Sequence, residues 1–471
     1  MKTLNNRRER IVLYGKKFGI RDKIGYMFGD FGNDFTFIFA SSFLMIFYTK
    51  VLGISGAAVG TLFLVARFID AVTDVTMGRI VDRSKATKQG KFKPWILRMS
   101  GPVALASFLM YQTSMISASM SVKVVYMYVT YILWGSIFYT SINIPYGSMA
   151  SAITSITEER TMLSTFRNVG ATLASLVIGV LTPLFIYTRD DSGAQIVRGG
   201  STFTIVAGIF SICALICYLI CYKLTTERVR IDQSQYKVSL LKSLKGLVKN
   251  RALLSIIGAA IFLLLAQLLI MSMNNYVFPD YYNDAQGIVL MNFINPILVL
   301  IVVSPLTLFL SKKYGKKELA SVGMFFSAIV YLILFLIKAS NMYVFLILSS
   351  VGYMGLGVFN TVIWANITDV IDDQEVKSDQ REDGTVYAVY SFARKIGQAL
   401  AGGVGGWTLS IIGYDSLANV QTGDVLEKLY NASTLIPSIC FLIVGLILFF
   451  LYPLSKDKVL ENCELLKQKH K

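Results

Sequence analysis

ARFIDAVTDVTMGRIVDRSKATKQGKFKPWIL, residues 66–97, starts inside an apolar run and ends in a basic loop. Arg67, Asp70 and Asp74 sit among residues otherwise fit for hydrocarbon: Leu62, Phe63, Leu64, Val65, Phe68, Ile69 and Val72. A charge at the centre of a membrane helix costs about 2.5–3.5 kcal/mol even on the lenient insertion scale, so charges here need a purpose. Spacings of three and four residues bring them onto one helix stripe, facing protein rather than lipid. Two carboxylates one turn apart, with Thr73 beside them, make a hard-oxygen cluster suited to Na⁺ or to a shared proton. The plain alternative is a structural pair in which Arg67 neutralises Asp70, and it leaves the second carboxylate to be accounted for.

The rest of the chain agrees that this stretch lies in a membrane. Of 471 residues, 54% are hydrophobic and only 16% charged, where soluble domains carry about 25% charge. Mean hydropathy is +0.57. The net charge of +16 would suggest nucleic acid in a soluble protein. Here the basic residues fall in short loops between apolar runs, where they mark topology, and no nucleic-acid partner is expected. Aromatics at 13% fit interfacial belts and a sugar-stacking cavity.

His470 is the only histidine, which excludes a histidine base, proton relay or zinc site in the spans. Any proton carried within the membrane must ride on carboxylates or lysine. No glycine-rich phosphate loop, nucleophile triad or thiol–metal spacing is present, so neither catalytic residues nor a cofactor are expected. Cys213, Cys217 and Cys221 share one helix face and read as small packing residues rather than a disulfide framework. The N-terminus, MKTLNNRRERIVLYGKKFGIRDK, reads as a basic cytosolic tail rather than a signal peptide.

Apolar windows of about 20 residues mark twelve spans, giving an all-α membrane protein. They fall near 25–50, 56–80, 94–114, 121–146, 164–187, 202–223, 252–279, 287–311, 319–338, 342–366, 385–412 and 432–453. Lys and Arg crowd the connections after the second and eighth spans, the central segment and both tails, so both termini are read as cytosolic. The expected domains are an N-terminal six-helix bundle with its tail, 1–228, and a central loop with a C-terminal six-helix bundle and tail, 229–471. Transporters built from such repeats bind substrate between their halves.

Further polar residues stand in apolar surroundings. GYMFGDFGNDFTFIFASS, residues 25–42, carries Asp30, Asn33 and Asp34 among glycines at helical spacing, which would let a helix or a ligand approach. A carboxylate there suits a polyol. In YTSINIPYG, Pro145 frees a carbonyl a turn earlier, near Thr140 and Asn143, which could complete a cation shell or bind sugar hydroxyls. Arg167 is read as opening the fifth span, and Lys395 lies inside the eleventh, where it would meet carboxylates of the other half. Asp369, Asp372, Glu375, Lys377, Arg381 and Glu382, read as a connection between spans, could form a cytosolic ion-pair gate.

GDFGNDF, FYTKVLGIS, ARFIDAVTDVTMGRIVDRSKATKQGKFKPW, YTSINIPYG and the acidic segment through Arg381-Glu382-Asp383-Gly384 together resemble the glycoside–pentoside–hexuronide:cation symporters of the major facilitator superfamily. The resemblance implies an inner-membrane sugar symporter of twelve helices driven by Na⁺, H⁺ or Li⁺, functional as a monomer among lipid. By motif it implies that Asp34 binds sugar and that Asp70 and Asp74 bind the cation. It likewise assigns Thr140 a cation-site hydroxyl, Arg167 a sugar-site role, and Lys395 the lysine of the eleventh helix. Thr73 extends the candidate cation set, and Asn33, Asn143 and Gly147 the candidate substrate set. Asn143 stands where melibiose carriers have a third acid, Gly147 where they have a stacking tryptophan, and Thr73 where they have asparagine. Rival readings are a sodium-coupled carrier of lipid or another small molecule on the same scaffold, and a multi-span membrane enzyme.

Overall fold

Long apolar runs fold as helices because a helix satisfies its backbone groups within one segment, which hydrocarbon demands. The computed structural model describes residues 17–229, 250–378, 383–418 and 420–469. In order, the helices are α1 Ile20–Ile46, α2 Gly56–Arg83, α3 Lys93–Leu109, α4 Met120–Ile132, α5 Thr140–Ile153, α6 Thr157–Ile186 and α7 Thr202–Leu224. They continue with α8 Arg251–Tyr276, α9 Gln286–Leu298, α10 Ser304–Tyr314, α11 Lys316–Ile337, α12 Met342–Ser378, α13 Asp383–Ile411, α14 Gly423–Leu446 and α15 Lys456–Lys469. A π-turn, Leu133–Tyr139, joins α4 to α5 in one span, and another, Val299–Val303, joins α9 to α10.

Among the described residues, ten helices are long and apolar enough to cross a membrane. The other two expected crossings correspond to α3, of 17 residues, and to α13. The chain is not purely helical: Tyr187–Arg189 and Gln195–Val197 pair as a short two-stranded hairpin, β1 and β2, where the chain turns between α6 and α7. The C-terminal tail also folds, as α15.

Contacts divide the chain into two compact units. The first comprises Met1–Ile54, Val65–Ile186 and Val197–Lys237; the second comprises Ser55–Leu64, Tyr187–Ile196 and Val238–Lys471. In the first, α1 packs against α6 and α7, and α3 against α5 and α7. In the second, α11 packs against α12 and α14, and α8 against α13 and α14.

Several helices outrun their apolar cores. The 30-residue α6 begins well before Arg167, which therefore lies inside the helix and does not open it. Its first turn carries Glu158 and Glu159, which favour a helix N-terminus, and Glu159 also bonds the Thr154 hydroxyl. Likewise the 37-residue α12 runs through Asp369, Asp372 and Glu375 to Ser378, so these carboxylates sit on helical turns and not in a connection. Arg381 and Glu382, most of the central segment, the N-terminal tail through residue 16, and His470 lie outside the described residues.

The glycines of α1 serve packing. A Cβ at Gly25 would meet Leu224 at 2.7 Å, one at Gly29 would meet Tyr146 at 2.2 Å and Cys221 at 2.9 Å, and one at Gly32 would meet Tyr218 at 3.1 Å. Glycine spacing suits a close helix as well as a ligand, and here α7 and Tyr146 take the space. Cys217 and Cys221 are buried and all five cysteines are free, consistent with packing.

The loop before α3 is fixed from the segment that follows α7. Glu227 accepts from the backbone N–H groups of Lys91, Phe92 and Lys93, at 2.7, 2.9 and 2.7 Å, and so caps α3 from a distant segment. Gly90, at φ +117°, makes room: a Cβ there would lie 2.4 Å from the Glu227 carboxyl carbon. Beside it, Arg228 holds buried Asp22 through both guanidinium ends, at 3.1 and 2.8 Å.

Candidate substrate and cation site

The charges of α2 face α4 and α5, as a stripe of polar residues in a span must face protein. Asp70 accepts from Arg67 at 3.0 Å and from the Ser136 hydroxyl at 2.5 Å. The Arg67–Asp70 pair of the plain alternative therefore forms, and Ser136 is a partner that sequence reading missed. Asp74 accepts from Thr140 at 3.0 Å. The Thr140 hydroxyl is also 3.2 Å from the Gly135 carbonyl, inside the π-turn, whose wide winding places a polar backbone oxygen beside the carboxylate. Thr73 donates within α2, to the carbonyls of Ile69 and Asp70, both at 3.2 Å. The structure thus brings Asp70, Asp74, Thr140 and Ser136 into one oxygen-rich cluster, with Thr73 on its border. Such oxygens suit a hard cation or a proton.

A second polar group lies between α1, α5, α6 and α7. Arg167 donates through Nε to Asp30 at 2.9 Å, and its guanidinium rests 5.7 Å from the Tyr146 ring centre. Tyr146 is fixed in turn: its hydroxyl donates to the Tyr26 carbonyl at 2.7 Å, and the two rings stack at 4.6 Å. The Arg167 side chain is 43% exposed and that of Asp30 8%, so the aspartate is the buried anchor. The terminal nitrogens of Arg167 have no hydrogen-bond partner among the described residues.

Asp34, one turn from Asp30 on α1, is half-buried and makes no hydrogen bond or ion pair with any described residue. Asn33 donates to Asn143 at 3.3 Å and accepts from the Tyr218 hydroxyl at 2.9 Å. Gly147 is exposed, and a Cβ there would meet nothing within 4 Å. Asn33, Asp34, Asn143, Gly147 and Arg167 thus all belong to the first unit, as does the cation cluster. Lys395 belongs to the second unit, on α13.

On the second unit, Lys316 donates to Asp369 at 2.6 Å, and Lys377 to buried Asp373 at 2.6 Å. Asn462 of α15 also donates to Asp373, at 3.2 Å. Of the gate candidates, then, Asp369 has a basic partner from the start of α11. Asp373, which the sequence did not single out, ties the tail helix to α12.

Comparison with known proteins gives this arrangement its setting. The family described as MFS/sugar transport protein matches residues 25–456. The chain belongs to that family. A glucuronide carrier protein homolog of Escherichia coli (strain K12) is 31% identical over 443 residues, covering 94% of each chain. An uncharacterized symporter of Bacillus subtilis (strain 168) is 32% identical over 459 residues, covering 96% of each. The crystal structure of a D-xylose-proton symporter shares the fold, with a TM-score of 0.61 at 12% identity over 93% of this chain and 98% of that one. The major facilitator fold and the resemblance to the glycoside–pentoside–hexuronide:cation symporters are thereby borne out, and the chain is a multi-pass membrane protein.

Proposed function

We propose that this chain, a cation-coupled sugar symporter by family, imports a hexuronide or a related glycoside or pentoside across the inner membrane by alternating access. Both termini face the cytosol in this reading, and the chain works as a monomer. The observation that carries the proposal is the pairing, within one unit, of an unbonded carboxylate with an anchored arginine whose terminal nitrogens are uncommitted. Asp34 can accept from sugar hydroxyls. Arg167, pinned through Nε by Asp30, keeps its forked end for an anionic group, the geometry in which arginine binds carboxylates bidentately. A glucuronide carrier homolog among the relatives favours the acidic sugar.

The coupling ion binds at Asp70 and Asp74 with Ser136 and Thr140. Arg67 already offsets one charge and Asn143 contributes none, so the cluster is less negative than a dedicated metal site and suits H⁺, with Na⁺ as the second candidate. Cation and sugar sites in such carriers couple by about 1–3 kcal/mol. The ion pairs on the cytosolic end of α12, centred on Asp369, gate the inner face. Transport is the role favoured by the family, described as MFS/sugar transport protein, and by a glucuronide carrier homolog among the relatives.

The test is uptake of labelled glucuronides, pentosides and neutral glycosides into proteoliposomes under imposed pH or Na⁺ gradients. Gradient-dependent accumulation of an acidic sugar is expected. Accumulation of neutral sugars only would remove the role given to Arg167, and accumulation of none would overturn the reading.

A further inference from the structure

We infer that Tyr218, on α7, is a positioning residue that sets the hydrogen-bonding polarity of the sugar site through Asn33 and Asn143. The inference rests on the sugar-site reading above and names a residue outside it. Tyr218 is 1% exposed, and its ring lies close against α1 because Gly32 has no side chain there. That contact brings the hydroxyl to the next residue, Asn33, where it donates to Oδ1 at 2.9 Å.

A side-chain amide has one acceptor end and one donor end. A phenol donating to Oδ1 of Asn33 turns the Nδ2 of that amide the other way, toward Asn143. There Nδ2 donates to Oδ1 of Asn143 at 3.3 Å. The second amide is then fixed as well: with its oxygen engaged, Asn143 shows its Nδ2 as a donor. Among the described residues that Nδ2 has no partner. The site therefore presents an acceptor, Asp34, and a donor, Asn143, from adjacent helices. Without the phenol, the Asn33 amide can turn over, its oxygen meeting Asn143 Nδ2. Asn143 would then present its oxygen, and the site would offer two acceptors.

The distinction is readable with fluorinated sugars, since fluorine accepts a hydrogen bond weakly and donates none. A sugar hydroxyl that faces a donor can be replaced by fluorine at little loss; one that faces an acceptor cannot. The experiment measures binding of methyl β-D-glucuronide, methyl β-D-xyloside and methyl β-D-glucoside to the full-length protein. The deoxy and deoxyfluoro forms of whichever binds are then compared. Wild type should tolerate fluorine at one ring position at which the deoxy sugar is weakened. Tyr218→Phe should lose that tolerance by about tenfold, the worth of one hydrogen bond of roughly 1–1.5 kcal/mol. Asn143→Asp, which keeps the bond from Asn33 and has no donor end, should lose it equally, and the double variant should lose no more.

If Tyr218→Phe keeps the wild-type fluorine pattern, or the two losses add, Tyr218 only packs and the inference fails. If Tyr218→Phe does not fold, Asn143→Asp decides: retained fluorine tolerance there overturns the inference, and its loss supports the donor assignment. If none of the three sugars binds wild type, the sugar-site reading has failed and the inference falls with it.

Discussion

Asp30 and Arg167 offer the clearest separation of anchoring from binding. The pair is asymmetric: the aspartate side chain is 8% exposed and the arginine 43%. Removing the arginine leaves a buried carboxylate uncompensated, a loss of about 3–5 kcal/mol where both charges are buried, and less here because one partner is half exposed. Asp30→Asn is milder for stability, since it removes the charge that holds Nε and leaves Arg167 able to seek solvent. Its effect should appear in recognition. A charge-assisted hydrogen bond is worth about 1.5–3 kcal/mol, so loss of the anchor predicts roughly 10- to 150-fold weaker binding of an acidic sugar. Neutral sugars should change far less. Thermal unfolding in detergent and calorimetry with methyl β-D-glucuronide would measure both. Arg167→Gln should be the less stable single variant, and Asp30→Asn/Arg167→Gln should recover part of that stability. If Asp30→Asn binds acidic and neutral sugars in the wild-type ratio, Asp30 does not position Arg167.

Asp34→Ala should weaken sugar binding about ten- to a hundredfold by calorimetry, with cation binding unchanged, because the cation cluster draws on other residues. Gly147→Ala should fold with little change in melting temperature, since a Cβ there meets nothing within 4 Å, and Gly147→Trp should alter which sugars compete for uptake. In the segment after α7, burial pushes the Glu227 carboxyl above the ordinary glutamate range in spite of its three backbone N–H donors. The native state therefore holds that proton more readily than the unfolded chain, and the contribution to stability falls as pH rises from about 4.3 through the raised value. Glu227→Gln should flatten this dependence at small cost. Glu227→Ala, which strips the cap from α3, should cost about 1–2 kcal/mol by thermal unfolding.

The apolar runs made the helices legible, because hydrocarbon leaves the backbone one local solution. Helix ends were legible only where polarity changed with them. The start of α6 and the end of α12 continue as polar helix beyond the apolar core, so composition gave no sign of Arg167 lying mid-helix or of Asp369 lying on one. Within the site, the α2 stripe could be read because charges in a span are conspicuous. Ser136 and Tyr218 could not: a serine and a tyrosine in apolar helices look like packing, and their roles appear only when another helix brings Asp70 or Asn33 to them. The glycines of α1 were ambiguous for the same reason. Small residues announce a close approach and do not say by what. Glu227 and Asp22 follow this pattern, since each finds its partners far along the chain.

The central claim is that a cation bound at Asp70 and Asp74 drives sugar entry. Cation flux evoked by sugar, measured in proteoliposomes with a pH-sensitive dye and with labelled Na⁺, tests it most directly. Wild type should take up one of these ions when sugar is added, and Asp70→Asn and Asp74→Asn should abolish that flux while sugar exchange persists. Undiminished sugar-evoked flux in both variants would contradict the account.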